Sequence, residues 1–249
     1  MQEQSTKTST KQRIIMGLVA FFMIFSSVAV YALIVFGKEP SSTSTSTPDT
    51  DKYLSAYNEK NQQLEILASD YSSKHLEEFT GYKSKVKSFN AASANEKGLK
   101  VEDVKKGSGD KLTATSTGYA AYYIGWCADE TVFDSSFDSF DTPSKLKTPL
   151  FVEKDSLISG WYQGVDGMRI GGVRIVTIPG ELAYGESYNP CDSESEEKNV
   201  PLKFLIMPIS VSDEFKSLSK ETQTAYMRYM YSLYGMEYEE PAETTESAE

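Results

Sequence analysis

Hydrophobic positions follow several different rhythms along this chain. Residues 14–36, IIMGLVAFFMIFSSVAVYALIVF, run for 23 positions without a charge. As a helix at about 1.5 Å per residue this run spans about 34 Å, enough for a hydrocarbon core of about 30 Å. Residues 37–51 are polar, with repeated Ser and Thr and two prolines, the composition of a solvated spacer. From 53 to 89 the rhythm is three to four residues. Leu54, Tyr57, Asn61, Leu64, Ala68, Tyr71 and His75 share one stripe, which predicts a helix with Asp51 as N-cap and a break at Gly81. From Leu99 the pattern becomes short apolar alternations between Gly-rich and charged turns. These predict strands near 100–105, 112–127, 132–134, 148–152, 173–178 and 202–211, with a turn at 107–110 and a short helix near 159–165. Residues 213–234 return to a helical rhythm through Tyr226, Tyr229, Met230, Leu233 and Tyr234.

Several strands and one short helix predict an α+β domain, a twisted antiparallel sheet wrapped around that helix. The expected order is a cytoplasmic N-terminus at 1–13, a transmembrane anchor at 14–36 and a Ser/Thr-rich linker at 37–52. A helical segment at 53–98, the sheet domain at 99–212, a C-terminal helix at 213–236 and an acidic tail at 237–249 follow. That last stretch holds six glutamates and no basic residue, the composition of a disordered tail. Lys7, Lys11 and Arg13 precede the apolar run, whereas Lys38 beyond it is offset by Glu39. Positive charge stays on the cytoplasmic side, so the remainder is expected outside. A cleaved signal peptide is the rival reading. It calls for an apolar core of about 7–15 residues, and here apolar residues continue past the poor Val30-Tyr31-Ala32 cleavage site. The stripe at 53–89 leaves two readings open, a self-association or client-contact helix and a helix packed on its own domain.

Composition narrows the chemistry. A net charge of −11 argues against nucleic acid as a partner, since phosphate contacts need a basic face. One histidine, His75, leaves little for a catalytic triad or a multi-histidine metal site. Two cysteines, Cys127 and Cys191, are too few for a four-thiolate zinc site. No metal or cofactor is expected. Against this, 12% of residues are aromatic, and "YYIGWCADETVFDSS" at 122–136 gathers several of them beside one carboxylate.

The ordered segments are Tyr122-Tyr123-Ile124-Gly125, Phe133-Asp134-Ser135-Ser136, Leu157-Ile158-Ser159-Gly160-Trp161 and Gly164-Val165-Asp166-Gly167-Met168 with Gly171. Ile178-Pro179-Gly180-Glu181-Leu182-Ala183-Tyr184-Gly185 and Val200-Pro201-Leu202-Lys203-Phe204 complete the series. In order and spacing over 99–211 this series resembles the FKBP-type peptidyl-prolyl cis–trans isomerases. The resemblance implies a shallow apolar pocket between sheet and helix that takes a proline. Trp161 would form its floor, and Tyr123, Phe133 and Phe204 its walls. Leu157 and Ile158 would form its edge, the Ile158 amide facing a substrate carbonyl. Tyr184 would offer a hydroxyl, and Asp134 would lie at the side. The chain departs from the family pattern at Thr148-Pro149-Leu150-Phe151, where Leu150 replaces aromatic surface at the edge. The arginine that often pairs with the pocket aspartate is missing, which leaves Asp134 to Tyr123 or to backbone amides. The loop after Gly185, ESYNPCDSESEEKN, is acidic and too short for an inserted chaperone domain.

With Cys127 at the end of one strand and Cys191 just upstream of the strand expected beside it, a Cys127–Cys191 disulfide across the pocket rim is expected if the domain is exported. Two unpaired thiols are the alternative. The implied function is prolyl isomerisation in unfolded or nascent exported polypeptides. A non-catalytic chaperone or scaffold that binds proline-containing segments is the competing class.

Overall fold

The computed structural model describes residues 48–192 and 194–238. The apolar run at 14–36, most of the Ser/Thr-rich spacer and residues 239–249 of the acidic tail lie outside the described residues. Among the described residues no helix is long and apolar enough to cross a membrane.

The first element, α1, runs Pro48–Gly81 and continues as a 3-10 turn over Tyr82–Lys85. It starts earlier than the periodicity indicates. Proline is well placed in a first helical turn, where its missing N–H has no partner to lose, and Asp49 and Asp51 beside it favour the positive end of the helix. Asp51 is therefore inside the first turn and not the N-cap. The predicted helix also overruns: residues 86–90 are not helical, and a separate helix α2, Ala91–Lys97, follows, capped by the Asn90 side chain, which accepts from the Ser93 N–H at 2.7 Å. The strands are β1 Lys100–Lys105, β2 Tyr119–Trp126, β3 Val132–Ser135, β4 Leu150–Val152, β5 Val173–Ile178 and β6 Leu202–Ile209. Helix α3, Ser159–Val165, precedes β5, and α4, Asp213–Leu233, follows β6. The run predicted as one strand from 112 begins only at Tyr119. Leu112 instead exchanges hydrogen bonds with the turn at Gly167 and Met168, and Gly118 turns the chain at φ 70°.

The sheet order is β1-β5-β6-β2-β3, with β4 also pairing β2, and every pair is antiparallel. β4 takes the first half of β2, opposite Tyr119–Ala121, and β3 the second half, opposite Ile124–Trp126. Each face of this sheet is covered. Tyr119, Ala121, Tyr123, Val176, Ile178, Phe204 and Ile206 pack with Trp161 and Val165 of α3. On the opposite face Tyr122, Ile124, Trp126, Ile175, Leu205 and Met207 pack with Leu64, Ala68 and Phe79 of α1 and Phe215 of α4. β2 is consequently buried at each of its eight positions. That is why its sequence, YAAYYIGW, shows no apolar–polar alternation: a strand covered on both faces has no solvent side to mark.

The two outer helices run antiparallel. Tyr71 meets Phe215, Lys60 meets Glu221 and Tyr57 meets Tyr226, with α1 numbers falling as α4 numbers rise. The helix also bonds to the domain: the Ser72 hydroxyl accepts the Leu146 N–H at 2.8 Å, and the Tyr71 hydroxyl accepts the Ser212 N–H at 2.8 Å. Of the two readings of the 53–89 stripe, the structure takes the helix packed on its own domain. His75 is half-buried there with its ring 6.0 Å from that of Tyr122, and burial lowers its pKa.

Candidate functional site

The centre of the site is a set of rings that the sheet register brings together. Gly125 of β2 lies opposite Phe204 of β6 on one side and Asp134 of β3 on the other. A Cβ there would come within 2.7 Å of the Phe133 ring and 2.8 Å of the Phe204 ring, so glycine lets the two phenylalanines close over the strand. They meet edge to face, centroids 5.5 Å apart. Phe204 also meets Trp161 at 5.7 Å, and Trp161 meets Tyr123 at 5.8 Å, both near perpendicular. Edge-to-face contacts put the positive ring edge on the negative face and add about 0.5–1.5 kcal/mol each beyond area burial.

Trp161 enters from the first turn of α3. Its indole N–H donates to the Tyr119 hydroxyl at 2.9 Å, which fixes the ring plane. Trp161 is 2% exposed, Phe204 3% and Tyr123 7%, whereas Phe133, Leu150, Leu157, Ile158 and Tyr184 are half-buried around them. The cluster therefore grades from a dry centre to a partly solvated apolar rim. At that rim the loop carrying Leu157 is organised by Tyr162, whose hydroxyl donates to the Glu153 carbonyl at 2.6 Å and accepts the N–H groups of Ser156 and Leu157. Among the described residues no acceptor meets the Ile158 N–H.

Asp134 sits beside the rings and accepts a hydrogen bond from the Tyr123 hydroxyl. Burial pushes its carboxyl up to about 6, against the opposing pull of the Tyr123 hydroxyl, the Lys147 ammonium and the Ser135 amide. The Tyr123 hydroxyl is held well above its ordinary value, by burial first and then by the Asp134 charge. Tyr184 is raised in the same way, and its ring stands perpendicular to Tyr188 at 5.8 Å. Asp134 thus has Tyr123 as its hydrogen-bond partner in the absence of an arginine. It also has a cation that the sequence reading missed: Lys147, whose ammonium donates to the neighbouring Ser135 carbonyl at 3.0 Å. Tyr119, Tyr162 and Tyr188 were also missed. Each supports a site residue from a position where aromatic residues read simply as core.

Cys127 and Cys191 form a disulfide, Cα atoms 5.9 Å apart, that ties the acidic loop after Tyr184 to the end of β2. Among the described residues no group of His, Cys, Asp and Glu is arranged to hold a metal ion. The arrangement offers apolar surface, a free backbone donor, phenolic hydroxyls and one buried carboxyl. It contains no nucleophile–base pair.

The family model described as FKBP-type peptidyl-prolyl cis-trans isomerase matches residues 108–207. A relative called FK506-binding protein 4 from Aspergillus fumigatus is 39% identical over 94 residues, 38% of this chain and 18% of that protein's length. This chain therefore spans less than a fifth of that larger relative. An FK506-binding protein of Neisseria meningitidis serogroup B is 37% identical over 90 residues, which take in 35% of this chain and 75% of the relative. A solved structure of a peptidyl-prolyl cis-trans isomerase from Pseudomonas syringae pv. tomato aligns at 24% identity over 68% of this chain and 100% of that one, with a TM-score of 0.34. With three quarters of the Neisseria protein matched at this identity, the chain belongs to the FKBP-type peptidyl-prolyl cis–trans isomerase family.

Proposed function

We propose that this protein is a peptidyl-prolyl cis–trans isomerase held at a membrane by residues 14–36, its N-terminus cytoplasmic and its sheet domain outside. Its substrates are proline-containing segments of unfolded or nascent exported polypeptides. The observation that carries the reading is the mutual contact of Tyr123, Trp161, Phe204 and Phe133 beside Asp134. Supporting the export reading are the uncharged run at 14–36 and the Cys127–Cys191 disulfide, a bond that persists in oxidising compartments.

The reaction makes and breaks no covalent bond. Its barrier of about 18–20 kcal/mol is amide resonance, and the uncatalysed rotation takes about 10–100 s. Millisecond turnover requires a factor on the order of 10⁴, or about 5–6 kcal/mol. In the twisted transition state the amide loses conjugation and less charge sits on oxygen. A dry ring-lined surface therefore disfavours the polar planar amide more than the twisted one. In this scheme Trp161 lies under the pyrrolidine ring, and Tyr123, Phe133 and Phe204 enclose it. Leu150, Leu157 and Ile158 hold the edge, the Ile158 N–H binding the carbonyl of the preceding segment. Tyr184 donates from its loop, and Asp134 orients the Tyr123 hydroxyl.

The test is prolyl relaxation of an Xaa-Pro peptide, followed by a protease-coupled assay or NMR exchange, with the full chain in detergent. Catalysed relaxation that Trp161→Ala strongly reduces is expected. Uncatalysed relaxation alongside measurable peptide binding would establish the scaffold reading instead. The scaffold reading calls for flanking helices available to clients, whereas α1 and α4 bury Phe79 and Phe215 against the protein's own sheet.

A further inference from the structure

Residues 179–201 link β5 to β6 and carry Tyr184, and both ends of this loop touch one side chain from outside the family-matched region. The Asn95 carbonyl oxygen of α2 accepts the Gly180 N–H at 2.8 Å, and its amide nitrogen donates to the Asn199 carbonyl at 3.0 Å. The two contacts fix the amide's orientation, because a flipped group would set oxygen against oxygen and nitrogen against N–H. Gly180 and Asn199 are 85 and 104 residues from Asn95 in sequence, so neither bond is local.

The loop ends are pressed together at that point. A Cβ on Gly180 would lie 2.0 Å from the Asn199 carbonyl, so only glycine permits the crossing. From the crossing, hydrogen bonds converge on the residue after Tyr184. The Gly180 carbonyl accepts the N–H groups of Ala183 at 3.0 Å and Gly185 at 2.9 Å. The Gly185 carbonyl in turn accepts the Asn199 N–H at 2.9 Å. The Asn199 side-chain amide donates to the Glu186 carboxylate. Tyr184 is therefore bracketed by a backbone ring whose crossing point Asn95 closes. The disulfide holds the far side of the loop at Cys191, beyond Tyr188, and leaves this near side to Asn95.

We infer that Asn95 is a positioning residue for the Tyr184 arm of the site, so that the helical segment preceding the family-matched region is part of the isomerase machinery. The role in turnover rests on the proposed function; the hold on the loop does not. The two are separated by measuring amide exchange and turnover on the same full-length proteins, wild type, Asn95→Ala and Asn95→Asp. Losing both bonds is expected to speed exchange by about thirtyfold, two net intramolecular hydrogen bonds of about 1 kcal/mol each. Asn95→Ala is expected to show that increase across 180–185 and at Asn199, with β2 and β6 unchanged, and a similar fall in kcat/KM expressed mainly in KM. Asn95→Asp keeps the acceptor for Gly180 and loses the donor to Asn199, so it is expected to restore Gly180 protection and part of the KM. Exchange in Asn95→Ala equal to wild type, or faster throughout the domain, would overturn the hold on the loop. Faster loop exchange with unaltered KM in an active enzyme would overturn the positioning role. A wild type without turnover would sink the proposed function, while the exchange measurements would still decide whether Asn95 holds the loop.

Discussion

The Tyr123 hydroxyl donates to the Asp134 carboxylate across the β2–β3 pair, and both residues are buried, at 7% and 9% exposure. The bond stabilises the carboxylate, yet burial outweighs it and leaves the carboxyl at about 6 instead of 3.8. With the folded value above the unfolded one, the protonated group favours the fold. The contribution is complete below about 3.8 and is lost as pH rises through about 6. Asp134→Asn keeps an acceptor for Tyr123 and removes the titration. The stability difference between wild type and variant is therefore expected to move by on the order of 3 kcal/mol between pH 3.5 and 7, read from urea midpoints. Parallel pH dependence in the two proteins would place Asp134 at its ordinary value.

Tyr119→Phe isolates the bond that orients Trp161. The ring volume stays, but the buried indole N–H loses its only hydrogen-bond acceptor among the described residues. An unsatisfied buried donor costs about 1–3 kcal/mol. A loss of stability in that range is expected, together with a shifted indole N–H resonance and slower prolyl turnover. An unmoved resonance would show that Tyr119 does not hold the ring.

Reduction of Cys127–Cys191 is expected to destabilise the domain. The bond closes a loop with a sequence separation of 64, and chain-entropy arguments give about 4 kcal/mol as an upper figure. Urea denaturation with and without reductant measures it. The Cys127→Ala/Cys191→Ala double variant should match the reduced protein, and equal midpoints in all three states would contradict the expectation.

The outer helices should prove inseparable from the isomerase domain. Phe79 and Phe215 are both fully buried, Phe79 against the rings of Tyr122 and Phe137 and Phe215 against Tyr71. Phe79→Ala and Phe215→Ala are each expected to cost about 3–5 kcal/mol. A fragment confined to residues 99–212 would uncover Tyr122, Trp126 and Met207 and is expected to aggregate or bind a hydrophobic dye. A fragment as stable as the full chain would show that this face tolerates water.

The ring cluster was legible because its chemistry is written locally. Gly125, Phe133-Asp134, Trp161 and Tyr184 stand in the ordered short segments by which the chain resembles the FKBP-type isomerases, whereas strand periodicity by itself marks such aromatics only as core. The stripe of Tyr57, Leu64, Ala68 and Tyr71 likewise showed that α1 has an apolar side. What that side covers was not legible, since amphipathic periodicity records burial without naming the surface that provides it. Pairing α1 with the back of β2 and β6 joins residues 64–79 to residues more than 40 positions away. Lys147 beside Asp134 and Asn95 between Gly180 and Asn199 are single polar residues in polar stretches. Asn95 takes its meaning from two bonds closed across distant chain and Lys147 from one bond to the Ser135 carbonyl of β3, and no local spacing encodes such closure. The ordered local segments marked which side chains belong to the candidate site; the three-dimensional packing decided which distant residues hold them there.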